Sequence, residues 1–135
     1  MQRLKTRPQF QAVLAGKTLA RTTHFALHSC ALQSPSAEGK SVIAPLFFPV
    51  RGVWLGAMVP KRWAKRAVTR NTIKRQIYTV TAEFESLLTE SAHVVRLRAA
   101  FDRAQFVSAT SDALKSSVRV ELVSLLVRAQ GVVAR

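Results

Sequence analysis

The sequence predicts an α+β fold: a small mixed β-sheet packed with three helices in the order α-β-β-(β)-α-β-α. Three observations predict it. Two segments carry apolar residues at helical spacing, Ile73, Ile77, Val80, Phe84 and Leu87 in one and Leu114, Val118, Leu122 and Leu125 in the other. Short apolar or alternating runs at 24–32, 53–59 and 94–99 are bounded by turn-forming residues and read as strands. Stripes and runs interleave along the chain, so helices come to lie on a shared sheet. With 135 residues, 48% of them apolar, residues 1–135 make one domain with a real core.

The elements follow in order. Thr6 and Gln9 form a T-x-x-Q capping box, Pro8 sits in the first turn, and Phe10, Val13 and Leu14 share a face before Gly16, giving a helix at about 6–15. His24 to Leu32 alternates, with Phe25, Leu27 and Ala31 on one side and His28 and Cys30 on the other. Gln33 to Gly39 is loop material, and Ser41 to Phe48 is either an extra strand or an extended loop. Val53 to Val59 is a strand that Pro60 closes. A helix then runs over about 67–88 and a strand over 94–99, with Val95 and Leu97 facing one way and Arg96 and Arg98 the other. Residues 101–107 connect to a last helix at about 109–128, which Thr110 or Ser111 caps and whose first turn holds Asp112.

Charge separates the chain into two parts. The net charge is +14, and residues 1–82 hold 14 Lys and Arg but only one acid, Glu38, whereas residues 83–135 hold seven basic and six acidic residues. Seven of the basic residues fall within 61–75, with no acid among them. Like charges four apart on a helix destabilise it by a few tenths of a kcal/mol per pair. A bound polyanion removes that cost, so the cluster reads as an electrostatic footprint for phosphates rather than a solvated face.

Composition excludes other classes. One cysteine, Cys30, leaves no internal disulfide and no thiolate-rich zinc site, and three histidines leave little for a metal centre. His28 and Cys30 share a strand face but lack an orienting carboxylate, Glu83 and Glu85 do not face each other on a helix, and there is no glycine-rich phosphate loop. No catalytic or metal-binding residue is therefore expected. The basic N-terminus is not followed by an apolar run of signal-peptide length. Residues 42–60 carry a single charge, but Pro45, Pro49, Pro60, Gly52 and Gly56 suit strands and a turn rather than a membrane span. A cytoplasmic protein is the expectation.

What remains is binding. Lys61, Arg62, Lys65, Arg66, Arg70, Asn71, Lys74 and Arg75 surround the entry to the second helix. Arginine forks grip phosphate oxygens, and a helix N-terminus favours an anion. Asn71 is either a satisfied polar residue of the turn or a group that reaches a base or sugar. Phe10 and the first strand supply either core packing or a surface on which unpaired bases stack.

The run Val59 to Ile77, VPKRWAKRAVTRNTIKRQI, resembles the signature of the bacterial ribonuclease P protein component. That signature is a strand ending in a basic pair, then Ala-Val, then Arg-Asn-x-Ile-Lys-Arg entering a helix. Arg3 to Leu27 resembles the family's first helix and strand, and the stretch from His93 onward resembles its closing half. The resemblance covers about 3–32 and 53–128. It implies a ribosomal-protein-S5-like fold with a left-handed βαβ crossover through the helix at 67–88, against the usual right-handed preference. It also implies the protein subunit of a ribonucleoprotein endoribonuclease. In that enzyme a large RNA carries out Mg2+-dependent removal of the 5′ leader of precursor tRNA, and the ion is held mainly by the RNA. The implied partners are ribonuclease P RNA, in a 1:1 complex, and precursor tRNA. Lys61, Arg62, Lys65, Arg66, Arg70, Asn71, Lys74 and Arg75 would meet RNA, and Phe10, Leu14, Phe25 and His28 would line a cleft for the leader.

Three residues depart from the pattern. Thr72 replaces the second arginine of the Arg-Asn-Arg run, and Leu14 and His28 stand where the family has aromatic rings. The segment 33–51 is also longer and more apolar than the family norm. Two alternatives to the subunit are an RNA-binding or ribosomal protein of similar fold without an enzymatic partner, and a protein-only nuclease.

Overall fold

A computed structural model describes residues 1–32, 52–101 and 112–133. Five strands form one mixed sheet, β1 (Gln2–Arg3), β2 (Lys17–Arg21), β3 (Phe25–Cys30), β4 (Trp54–Met58) and β5 (Ala92–Leu97), in the order β1-β4-β5-β3-β2. β1 and β5 run parallel to β4, and β3 runs antiparallel to both β5 and β2. The helices are α1 (Arg7–Leu14), α2 (Ala67–Glu83) and α3 (Asp112–Val133), with a 3-10 turn at Glu85–Leu87. α2 bridges the parallel neighbours β4 and β5, as a βαβ unit requires.

The sheet is covered on both faces. Phe25 and Leu27 of β3, Leu55 and Ala57 of β4, and Val95 and Leu97 of β5 join Ile73, Ile77 and Val80 of α2 and Leu114, Val118, Leu122 and Leu125 of α3 in the main core. The alternate residues Trp54, Ala92 and Val94 pack with Leu4 and Val13 in a smaller core under α1. Burial on both faces explains why the central strands read as apolar runs more than as clean alternation.

α1 comes close to the sheet because Gly56 lies beneath it. A Cβ at Gly56 would stand 2.5 Å from Cε1 of the Phe10 ring and 2.8 Å from Cδ1 of Leu4. The capping box forms: Thr6 Oγ1 accepts from Gln9 N–H at 3.4 Å, and Gln9 Oε1 accepts from Thr6 N–H at 3.1 Å and Lys5 N–H at 2.6 Å.

Several boundaries differ from the sequence reading. β1 and β2 lack a sequence signature. β1 has two exposed residues on the edge of the sheet, and β2 carries a bulge between Thr18 and Ala20. The bulge lets the successive residues Leu19 and Ala20 both pack on the main core, which erases the period of two. α2 ends at Glu83, not 88. Phe84 leaves helical geometry (φ −111°, ψ 19°), and the 3-10 turn carries the apolar spacing onward, so periodicity alone does not register the break. β5 begins at Ala92 and ends at Leu97, two residues earlier at each end than expected, because the polar-looking Ala92–His93 pair is hydrogen-bonded between two strands. α3 continues to Val133, five residues past its expected end. The candidate caps Thr110 and Ser111, the 33–51 segment with its undecided extra strand, and the connection after Phe101 lie outside the described residues.

Candidate nucleic-acid interface

The basic entry to α2 is built from a closed turn and an uncapped helix start. β4 runs through Val59 into Pro60, whose carbonyl accepts from both Trp63 and Ala64 N–H groups at 3.1 Å. This tight turn throws Lys61 and Arg62 outward while Ala64 is buried as a plug. The Arg62 guanidinium lies 5.5 Å from the centre of the Trp63 ring, a cation–π distance. Arg66 is the N-cap, no side chain caps the helix, and no acid sits in its first turn. The free first-turn amides therefore add their positive field to the side chains.

Lys61, Arg62, Lys65, Arg66, Asn71, Lys74 and Arg75 are all exposed. Ile73 and Ile77 hold the opposite face of the same helix in the main core. Among the described residues none of these cations forms an ion pair; the pairs present join Met1 to Glu85, His24 to Glu121, and Arg119 to Glu83. Arg70 behaves differently. It is half-buried, and its Nη1 donates to the carbonyls of Ala64 (3.0 Å) and Lys65 (2.8 Å), so it braces the loop that carries its neighbours. Thr72 donates its hydroxyl to the Val68 carbonyl at 2.9 Å, folding back on its own helix where the resemblance expects a cation.

On the α1 face, strand register sets out rows across the sheet. One row is Gly56–Val94–His28–Thr18 and the next is Met58–Arg96–Ala26–Arg21. The half-buried Phe10 ring lies over Gly56, and half-buried Leu14 packs against the small core. His28 is only 7% exposed, with Nδ1 3.2 Å from Thr18 Oγ1 and Nε2 accepting from Arg96 Nε at 3.4 Å. Burial first, then the charges of Arg96 and Arg21, push its pKa below the ordinary histidine value, so the ring is neutral at pH 7. Burial raises the Cys30 thiol, which is the opposite of a reactive thiolate.

Phe25 requires a correction. It does not line this face. It is fully buried in the main core and meets Phe101 at 6.0 Å between ring centres. Its parity on β3 is opposite to that of His28, so the two cannot share one cleft. Sequence reasoning also passed over Arg21 and Arg96. The parity of Arg96 against Val95 and Leu97 pointed to this face, whereas the bulge in β2 hid Arg21.

Comparison with known proteins shows the family. The family model described as Ribonuclease P matches residues 1–121. The ribonuclease P protein component of Bordetella parapertussis is 35% identical over 120 residues, covering 89% of this chain and 85% of that one. The corresponding component of Ralstonia pickettii is 33% identical over 123 residues, covering 91% and 75%. Among solved structures, the RNase P protein of Staphylococcus aureus superposes with a TM-score of 0.63 at 20% identity, covering 93% of each chain, and so shares the fold.

Proposed function

Because this chain belongs to the bacterial ribonuclease P protein family, and is thus the protein subunit of an RNA-based endoribonuclease, we propose how its surface divides the work. Its partner in the enzyme is a ribonuclease P RNA. In our reading, the entry to α2 docks that RNA through Lys61, Arg62, Lys65, Arg66, Asn71, Lys74 and Arg75, with Arg70 fixing the loop. The α1 face, with Phe10, Leu14 and His28 and with Arg21 and Arg96 beside them, holds the single-stranded 5′ leader of precursor tRNA. Residues 1–135 act as one RNA-binding unit in a 1:1 complex in the cytoplasm. The observation that carries the reading is the set of exposed cations at the α2 entry, mounted on a buried apolar stripe and without a carboxylate partner among the described residues.

The enzyme class is metal-dependent. Among the described residues, no three His, Cys, Asp or Glu side chains converge where an ion could sit. In our reading the Mg2+ is held mainly by the RNA. The protein contributes position and charge: cations lower the repulsion between two RNAs brought together at the scissile phosphate. No helix among the described residues is long and apolar enough to cross a membrane.

The test mixes protein, precursor tRNA and Mg2+ with and without ribonuclease P RNA. Cleavage at the 5′ end of the mature tRNA is expected only with the RNA present. The protein should raise the affinity for substrate that carries a leader and do little for leaderless tRNA. Equal gains on both substrates would remove the leader from this account, and cleavage by protein alone would remove the RNA-based mechanism.

A further inference from the structure

A further basic concavity lies away from the α2 entry and borders the α1 face. The turn between β2 and β3 and the exposed side of α3 enclose an open groove of about 790 Å3, within the size range of ligand clefts. Arg21, Arg98 and Arg128 line it, together with the hydroxyl side chains of Thr22, Ser116, Ser117 and Ser124. Its one carboxylate, Glu121, is consumed internally. Glu121 Oε2 accepts from Thr22 Oγ1 at 2.5 Å and from His24 N–H at 2.6 Å, and its Oε1 lies 2.7 Å from His24 Nδ1. The His24 ring is in turn stacked on Phe101 at 3.9 Å.

Two of the arginines are held in place by main chain. Arg98 Nη1 donates to the carbonyls of Thr22 (2.9 Å) and Thr23 (3.2 Å), and Arg128 Nη1 donates to that of Arg21 (2.9 Å). Neutral carbonyls orient a guanidinium without discharging it. Each fork keeps further N–H donors for an anion, and little side-chain entropy remains to be lost on binding. Three cations, one preoccupied carboxylate and a rim of hydroxyl donors match a run of phosphodiesters better than a single small anion.

We propose that this groove is a third RNA-binding surface, which takes the phosphodiester backbone of the precursor tRNA beyond the stretch held on the α1 face, since Arg21 borders both. The proposal rests on the family's RNA partnership but on none of the residues assigned to the α2 entry. Arg21 stands on the border, facing the His28 row as well, so the groove continues the basic edge of the α1 face.

The experiment places one negative charge in the groove without removing any internal hydrogen bond. Val120 lines the groove and is 70% exposed, while Val127 is 51% exposed on the same helix but outside the groove. Val120→Glu should weaken precursor tRNA binding about tenfold at low salt and reduce the salt slope by about one. Val127→Glu, with the same net charge about 10 Å further along the helix, should lose less than Val120→Glu, and should stay within about twofold at about 0.15 M salt, where the Debye length is about 8 Å. Ser116→Glu, another exposed groove position, repeats the test should Val120→Glu melt early.

Two arms identify the strand: protein titrated onto ribonuclease P RNA, and precursor tRNA titrated onto the assembled holoenzyme. A loss in the second arm alone is expected, and a loss in the first assigns the groove to the catalytic RNA and overturns the proposal. Groove variants indistinguishable from Val127→Glu in both arms overturn the proposal. A Lys65→Ala/Arg66→Ala control that still loses affinity would show that the α2 entry stands without the groove.

Discussion

On the proposed reading, the α2 entry and the α1 face meet RNA by opposite physical routes. The entry is nearly all charge. Its cations project from a short loop and the first two to three helical turns, only Arg70 is spent on internal hydrogen bonds, and the apolar backing is hidden on the reverse of the helix. The α1 face is mostly shape. A ring sits on a glycine, a neutral histidine is wedged between a threonine and an arginine, and two arginines stand one row further along. Long-range attraction falls to the first, which needs little geometric accuracy. Close fitting falls to the second, which depends on strand register and on the approach distance of α1.

The largest expected effect comes from removing charge at the entry alone. Lys65→Ala/Arg66→Ala/Lys74→Ala takes three exposed cations that make no hydrogen bond or ion pair among the described residues. Affinity for ribonuclease P RNA should fall about 10²-fold near physiological salt, and the slope of log K against log salt should drop by about three. Thermal stability should hold or rise slightly, since repulsion between Arg66, Arg70 and Lys74 is relieved. Filter binding across a salt series, beside a thermal melt, checks both. An unchanged slope would mean that these side chains do not meet phosphate.

The reverse break leaves charge alone and spoils shape. Gly56→Val puts a branched side chain where even a Cβ would overlap the Phe10 ring. Overpacking of this kind costs about 1–3 kcal/mol. α1 should lift from the sheet, lowering the urea midpoint and erasing the preference for leader-bearing substrate. Binding to ribonuclease P RNA should stay within about twofold. Equal losses on both RNAs would merge the two regions into one.

Acidification acts on neither set of cations but on two buried rings, His28 on the α1 face and His93 on the opposite, main-core face of the sheet. His93 is fully buried, with its Nδ1–H donating to the Trp54 carbonyl at 3.2 Å and its Nε2 unpartnered among the described residues. Burial outweighs the opposing pull of the nearby Trp54 and Ser91 backbone and lowers its pKa, as burial does for His28. Both rings are thus held neutral in the folded chain, while in the unfolded chain they take up protons near the ordinary value of about 6.5. Stability should be steady above pH 7 and fall as pH drops below about 6.5. His93→Leu should melt lower at pH 7.5, having lost its hydrogen bond, yet lose less between pH 7.5 and 5.5 than the parent chain. A parallel loss in both proteins would place the acid sensitivity elsewhere.

These regions also differ in how far they can be read from sequence. A cation is a property of its own residue, so the entry was legible: Lys61 to Arg75 with no acid among them, above a stripe at Ile73 and Ile77. Membership of a face is a property of register. Alternation sets Phe25 opposite His28, the resemblance nonetheless puts both in one cleft, and the pairing with Leu97 shows which face is the main core. Arg21 stays invisible because a bulge shifts β2 by one residue, and a one-residue shift exchanges faces. Gly56 reads as a turn signal, although its role is to let a helix approach. Even within the legible entry, sequence does not separate an arginine that meets a ligand from one that braces a loop, and Arg70 does the second.

The smallest expected effect adds to the entry rather than subtracting from it. Thr72 lies in the first turns of α2 between exposed Asn71 and buried Ile73, and its hydroxyl is spent on the Val68 carbonyl. Such back-bonding contributes nothing outward and slightly weakens the helix. Thr72→Arg substitutes a better helix former and supplies the cation that the resembling family carries at this position. If the surface around Arg66, Asn71 and Lys74 faces phosphate, the variant should bind ribonuclease P RNA about three- to fivefold more tightly, with a salt slope steeper by about one. Its preference for leader-bearing over leaderless substrate should not move, because the α1 face is untouched. A gain on the leader alone would mean that the two regions exchange roles, with the charged entry serving the substrate and the fitted face serving the catalytic RNA.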